Sequence, residues 1–224
     1  MASRLAIVIP TLNEAAGIRA ALEALAPLRA RGHEVIVVDG GSEDATMALA
    51  LPLATHVVKA PRGRALQMNA GARAARGDAL VFLHADTRLP AHADELVLGA
   101  LERSSWGRFD VEIEGRHRLL KTVAAAMNLR SRLTGIATGD QAIFVRRDAF
   151  PGFPEIALME DIALSRELKR RGRPACLRAR VRTSGRRWEA RGVLRTIFLM
   201  WRLRLLYALG VAPQRLAREY VDPR

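Results

Sequence analysis

Glu34-Val-Ile-Val-Val-Asp39 and Ala79-Leu-Val-Phe-Leu-His-Ala-Asp86 share one pattern: an apolar run that leads straight into an aspartate. Such runs suit strands buried on both faces, where a carboxylate belongs at the open end and not within. In an open α/β sheet the carboxyl ends of the strands are where ligands sit. Two acids delivered to one sheet edge suggest a divalent cation, a sugar hydroxyl, or both.

Leu5-Ala-Ile-Val-Ile-Pro10 reads as a first buried strand, stopped by its proline. Thr11 or Asn13 can cap the next helix, in which Leu22, Leu25 and Leu28 recur at helical spacing. Gly40-Gly-Ser-Glu-Asp44 is a turn that also caps a short helix, and residues 55–58 are a third strand. Residues 62–76 form an Ala-rich helix closed by Gly77, and 79–83 are the fourth strand. This alternation predicts an α/β fold with a mostly parallel sheet flanked by helices. Beyond Asp86 the pattern predicts helices over 91–103, 118–132 and 160–171, and strands over 106–113, 141–146 and 175–183.

A chain of 224 residues accommodates one large domain, and 5% aromatic content suits a helix-rich α/β protein better than a β-sandwich. The single cysteine, Cys176, excludes an internal disulfide and a multi-cysteine zinc site, as a reducing cytosol would favour. The first apolar run is too short for a signal peptide, so the expected location is the cytoplasm.

The net charge of +13 is segregated. Residues 1–161 carry 19 basic and 19 acidic side chains, whereas residues 162–224 carry 17 and 4. Codon preference can select arginine, which supplies 33 of the 36 basic residues, but it does not gather charge at one end. A basic C-terminal portion facing an anionic partner follows. Within it, the 17 residues 193–209 approach the length of a membrane span, but Arg195, Arg202 and Arg204 interrupt them. Inserting two central arginines costs roughly 5–7 kcal/mol, against about 3–5 kcal/mol returned by the apolar side chains. The segment therefore reads as an amphipathic helix. It packs either on the domain or on an anionic membrane surface, with Trp201 and Tyr207 at headgroup depth.

Ile9-Pro-Thr-Leu-Asn-Glu14, Val37-Val-Asp-Gly-Gly-Ser42, His84-Ala-Asp86, Glu160-Asp161 and Arg187-Trp188 stand in the order and spacing of family 2 glycosyltransferases. The resemblance covers the chain from Leu5 to about Trp188, and its strength lies in five motifs in sequence. It implies a GT-A fold, a Rossmann-like sheet spanning about 1–190, followed by a basic helical tail over 191–224. It also implies a nucleotide-sugar donor, with a UDP-sugar favoured, a hydroxyl acceptor, and Mn²⁺ or Mg²⁺.

In the family pattern Pro10, Asn13 and Glu14 line the nucleoside pocket and Asp39, with Gly40, contacts uracil or ribose. Asp86 is the implied metal ligand. His84 stands where the usual Asp-x-Asp has its first acid, and it reads either as a second ligand or as a packing residue. Asp161 is the implied general base, with Glu160 beside it, and an in-line attack predicts inversion. Asp140 and Trp188 are implied at the donor sugar or acceptor, and Arg187 at the departing diphosphate. Arg64, with Arg62, Gln67 and Asn69, reads either as a nucleotide contact or as a solvated helix face. Ser184 replaces the glutamine of the family's Gln-x-x-Arg-Trp element, which favours a single transfer over processive synthesis. His84-Ala-Asp-Thr87 and Arg186-Arg-Trp-Glu189 look especially close to a small subset often assigned to arsenosugar biosynthesis.

Three other readings compete. A nucleic-acid-binding module would use the basic tail, but the arginines are mixed with Leu, Ile and Phe and not with stacking aromatics, so no nucleic acid is expected. A non-catalytic membrane scaffold of the same fold would not need Asp39, Asp86 and Asp161 together. A nucleotidyltransferase would need a Gly-rich, Lys-containing turn after the first strand, which Thr11-Leu-Asn-Glu14 lacks.

Overall fold

The structure is a computed structural model that describes residues 4–220; the last four residues of the expected C-terminal segment lie outside the described residues. The chain begins with β1 (Leu5–Thr11), α1 (Ile18–Ala24), α2 (Ala26–Ala30), β2 (Glu34–Asp39), α3 (Thr46–Ala50), β3 (His56–Lys59), α4 (Arg64–Ala74) and β4 (Ala79–Phe82). It continues through β5 (Thr87–Arg88), α5 (Ala93–Leu101), β6 (Trp106–Glu114), α6 (Leu119–Thr134), β7 (Phe144–Arg146), α7 (Glu160–Arg171) and β8 (Ala175–Ser184). Three helices close it: α8 (Arg186–Arg191), α9 (Val193–Ala208) and α10 (Pro213–Glu219).

The strands form one sheet in the order β3-β2-β1-β4-β7-β6-β8-β5. β1 pairs in parallel with β2 and β4, and β2 with β3, so this half is a parallel α/β unit. β7 joins it antiparallel to β4 and carries β6 antiparallel on its other side. β6 and β8 are parallel, and β5 is antiparallel to β8. Alternate residues of the parallel strands enter opposite cores. Ile7, Ile9, Val35, Val37 and Val81 pack on one face, and Val8, Ile36, Val38, Leu80 and Phe82 on the other. Each such side chain, taken out of water, contributes about 1.5–3 kcal/mol.

Backbone contact fixes α4 on the sheet. A Cβ on Gly71 would come within 2.3 Å of Val8 Cγ1 and 2.9 Å of Val38 Cγ2, so only a hydrogen fits there.

Three elements depart from the periodicity. The helix expected through Leu22, Leu25 and Leu28 breaks at Leu25, because Pro27 cannot continue it and instead opens α2. The strand expected over 141–146 splits. Residues Gly139–Gln141 make a 3₁₀ turn and Ala142 takes φ 44°, leaving only Phe144–Arg146 in the sheet. The cause is Gln141, fully buried, whose amide donates to Ser131 Oγ at 3.0 Å and so ties the turn to α6. The short β5 after Asp86 had no periodic signal, and it exists through its pairing with β8.

The C-terminal segment folds back on the domain. Leu203 of α9 and Leu216 of α10, both fully buried, meet Leu158, Met159 and Ile162 at the start of α7. Among the described residues no helix is long and apolar enough to cross a membrane. The outer face of α9 is a ridge of exposed apolar side chains: Leu194, Phe198, Trp201, Leu205 and Leu209.

Candidate active site

β1, β2 and β4 all end at one edge of the sheet, and a cleft of about 420 Å³ opens there. Its floor comes from the β1–α1 loop, the residues after β4, the Gly139–Gln141 turn and the start of α7. Its far wall comes from α8, α9 and Tyr220.

Pro10, Asn13 and Glu14 line one end. Asn13 holds φ 54°, and its Oδ1 accepts from the Glu43 amide at 2.9 Å. The Asn13 and Glu14 amides donate to Ser42 Oγ and Thr46 Oγ1, lacing the loop after β1 to the loop after β2. Asp39 and Gly40 lie behind this wall, outside the cleft lining. The Asp39 carboxylate is 1% exposed and accepts from the Gly41 and Ser42 amides at 3.0 Å and from the Ser42 hydroxyl. Its place in this structure is that of a turn holder, because an acid buried at a strand end satisfies the nearest amides first.

Asn69 faces neither the cleft nor solvent, whereas Gln67 lines the cleft although most of its side chain is buried. Gln67 Nε2 donates to the carbonyls of Thr11 and Val38 at 2.8 Å each, and Asn69 bonds both backbone groups of Phe153. Arg64, on the same helix, does line the cleft, whereas Arg62 is exposed on the loop before it.

His84, Asp86, Asp140, Glu160 and Asp161 all line the cleft. The His84 Nδ1 stands 3.4 Å from Asp140 Oδ1, and its Nε2 lies over the Gly139 backbone, where a Cβ would approach to 2.5 Å. Burial would raise the Asp140 pKa. The hydrogen bond and charge of His84, with the charges of Arg187 and Arg64, outweigh it and hold the carboxyl well below its ordinary value.

Asp161 accepts from the Gly139 amide at 2.9 Å through Oδ2 and from the Ile162 amide at 2.7 Å through Oδ1. Glu160 is 6% exposed. Burial first, then the neighbouring Asp161 charge, push its pKa up to about 6, against the pull of Arg64 and His84. Both acids open α7 after Met159, a non-glycine residue at φ 69°. Asn13, Ala142 and Met159 are three such residues on segments that frame the cleft, a concentration of backbone strain typical of sites held in one geometry.

Arg187 and Trp188 of α8 line the opposite side. The Arg187 guanidinium donates to the Tyr220 hydroxyl and lies 5.1 Å from the centre of that ring. Trp188 rests partly on the main core.

The sequence reading missed Thr196, Met200 and Arg204, which α9 places in the cleft wall. Their i, i+4, i+8 spacing was the available signal, hidden by the apolar run that surrounds it.

Among the described residues no three His, Cys, Asp or Glu side chains gather as a metal cage. Asp86 is exposed to the cleft, with Oδ1 accepting from Thr87 Oγ1 at 3.3 Å. One hard carboxylate at an open cleft fits Mg²⁺ or Mn²⁺ that takes its other ligands from diphosphate and water.

The family model described as glycosyl transferase family 2 matches residues 6–150. A Haemophilus influenzae protein described as an uncharacterized glycosyltransferase is 31% identical over 103 residues, 45% of this chain and 35% of that protein. The match thus spans about a third of that relative's length. Glucosyl-3-phosphoglycerate synthase from Mycobacterium tuberculosis, solved with Mg²⁺ and uridine diphosphate, superposes with a TM-score of 0.58. It is 21% identical, over 81% of this chain and 70% of that one. The same enzyme with Mn²⁺, uridine diphosphate and phosphoglyceric acid gives 0.59 at 21% identity, over 80% and 69%. S. aureus TarS gives 0.65 at 17% identity, over 81% of this chain and 60% of that one. These structural likenesses establish a shared GT-A fold. With the family match over well over half of its length, the chain belongs to glycosyl transferase family 2.

Proposed function

We propose that this protein moves a sugar from a nucleoside diphosphate donor to a hydroxyl acceptor with inversion at the anomeric carbon. The observation that carries this reading is the convergence of Asp86, Asp140, Asp161, Arg64 and Arg187 on one cleft at the carboxyl edge of a parallel sheet. Neighbours of the same fold that bind uridine diphosphate with Mg²⁺ or Mn²⁺ support a UDP-sugar.

The donor's nucleoside lies against Pro10, Asn13 and Glu14, and its diphosphate reaches Asp86. Asp86 would hold a divalent cation, which would supply charge neutralisation to the diphosphate. The acceptor oxygen attacks the anomeric carbon from the face opposite the diphosphate, and its proton passes to Asp161. The bond from that carbon to the diphosphate oxygen breaks, and the electron pair leaves on the diphosphate, beside Arg64 and Arg187. His84 positions the Asp140 turn, and Asp140 with Trp188 faces the sugars. The motifs His84-Ala-Asp-Thr87 and Arg186-Arg-Trp-Glu189 support the arsenosugar-associated subset as the neighbourhood in which to seek the substrate.

The exposed ridge of α9, flanked by Arg195 and Arg202, supports peripheral attachment to an anionic membrane surface. A thermal-shift screen of sugar nucleotides with and without Mn²⁺ or Mg²⁺ tests the main reading. One nucleotide should raise Tm, more so with metal; a flat response to every nucleotide would overturn it.

A further inference from the structure

Arg187 projects from an element that cannot hold it alone. α8 is six residues long, and none of its residues is fully buried. A helix that short is marginal without outside packing. A long, flexible arginine on it would lose much rotamer freedom on meeting a ligand.

The hold comes from Tyr220, which lines the same cleft. Its hydroxyl accepts from the Arg187 guanidinium, which also lies 5.1 Å from the ring centre. A cation within about 6 Å of a ring centre is attracted to its face. Tied at the hydroxyl and against the ring, the planar guanidinium has both its plane and its direction set.

Tyr220 is itself anchored. Its amide donates to the Leu216 carbonyl at 3.1 Å, at the end of α10. Its ring packs beside the cluster of Leu158, Met159, Ile162, Leu203 and Leu216. Met159 and Ile162 flank Glu160 and Asp161 in the chain. One apolar cluster thus links the helix of the two acids to the partner of the arginine.

We propose that Tyr220 is a positioning residue, which aims the Arg187 guanidinium at the terminal phosphate of the donor's diphosphate before the donor arrives. The inference rests on the glycosyltransferase reading, in which the bond to that phosphate's oxygen breaks beside Arg187. An arginine oriented in advance gives up little freedom on binding, so the affinity gained belongs to the phosphate it meets.

The test compares UDP with UMP, each with Mg²⁺, by calorimetry on the full chain. The UDP-over-UMP affinity ratio reads the terminal phosphate alone, whereas a loosened cleft would weaken both nucleotides alike. It should fall about tenfold in Tyr220→Ala and about threefold in Tyr220→Phe, which keeps the ring and loses the hydroxyl. Arg187→Gln should lower it too. Adding Tyr220→Phe to Arg187→Gln should lower it no further, because the tyrosine acts through the arginine. Glu219→Gln breaks the exposed bond to Arg202 one residue away and should leave the ratio within about twofold. Tyr220→Phe keeps the test valid if Tyr220→Ala fails to fold. An unchanged ratio in the Tyr220 variants, equal losses of UDP and UMP, or a Tyr220→Phe effect undiminished beside Arg187→Gln would overturn the proposal. Absence of UDP binding to the wild type would overturn the UDP-sugar reading instead, so the two failures are distinct.

Discussion

The Gly139 amide donates to the Asp161 carboxylate across 2.9 Å, while the same glycine's Cα lies under the His84 ring. One backbone unit thus joins the proposed base to the residue that follows β4, and through the next residue, Asp140, to the ring's other nitrogen. Substituting Gly139 by Ala would drive a methyl group to 2.5 Å from His84 Nε2. The expected cost is about 1–3 kcal/mol, the range for overpacking, with a loss of turnover. Gly99→Ala on α5, where a Cβ meets nothing within 4 Å, is the control and should be neutral or stabilising. Equal Tm values for the two variants would contradict this account.

Asp161→Asn removes the proton acceptor and keeps the shape. Release of nucleoside diphosphate during transfer should fall about 10²–10⁴-fold, with the nucleotide-induced thermal shift retained. Turnover near that of the wild type would assign the base elsewhere.

Asp86→Ala addresses the metal. In the wild type, a ligand at a hundred times its Kd stabilises by about 2.7 kcal/mol. The metal-dependent part of that gain should vanish in the variant, and a remaining metal effect would point to another ligand set.

Glu160 gives a pH dependence with a definite sign. Its folded pKa, about 6, is raised above the ordinary value of 4.5, so between those values the folded state binds more protons than the unfolded chain. Stability conferred by the protonated form is complete below pH 4.5 and is lost as pH rises through 6. Glu160→Gln should therefore raise stability at pH 7.5 by about 2 kcal/mol, the equivalent of that shift, and by little at pH 4.5. Melting curves of both proteins across this range decide it. A gain independent of pH would show that the charge is not the cause.

The α9 ridge predicts adsorption to membranes. The wild type should float with phosphatidylglycerol vesicles, and Phe198→Glu with Trp201→Glu should abolish flotation without lowering Tm, because both side chains are more than 70% exposed. Failure of the wild type to float would remove the membrane reading.

Much of the parallel half was legible in the sequence because its signals are local. Buried parallel strands write themselves as unbroken apolar runs, and the residues after β1 and β4 follow them directly. Asp39 shows the limit: its position at the strand end was readable, but whether its oxygens meet a ligand or the Gly41 and Ser42 amides depends on loop geometry. The Gly139 turn escaped for a related reason. The buried Gln141 overrides strand propensity through a contact with α6 that no local window contains. Asp161 and Arg204, 43 positions apart, share the cleft only because α9 and α10 fold back onto α7.

That fold-back gives α9 two audiences. Thr196, Met200 and Arg204 look inward to the cleft, while Phe198, Trp201 and Leu205 look outward, across a rod about 10–12 Å thick. Whatever leans on the outside of this helix leans, one helix diameter away, on the wall of the cleft. Surroundings and cleft share a single helix.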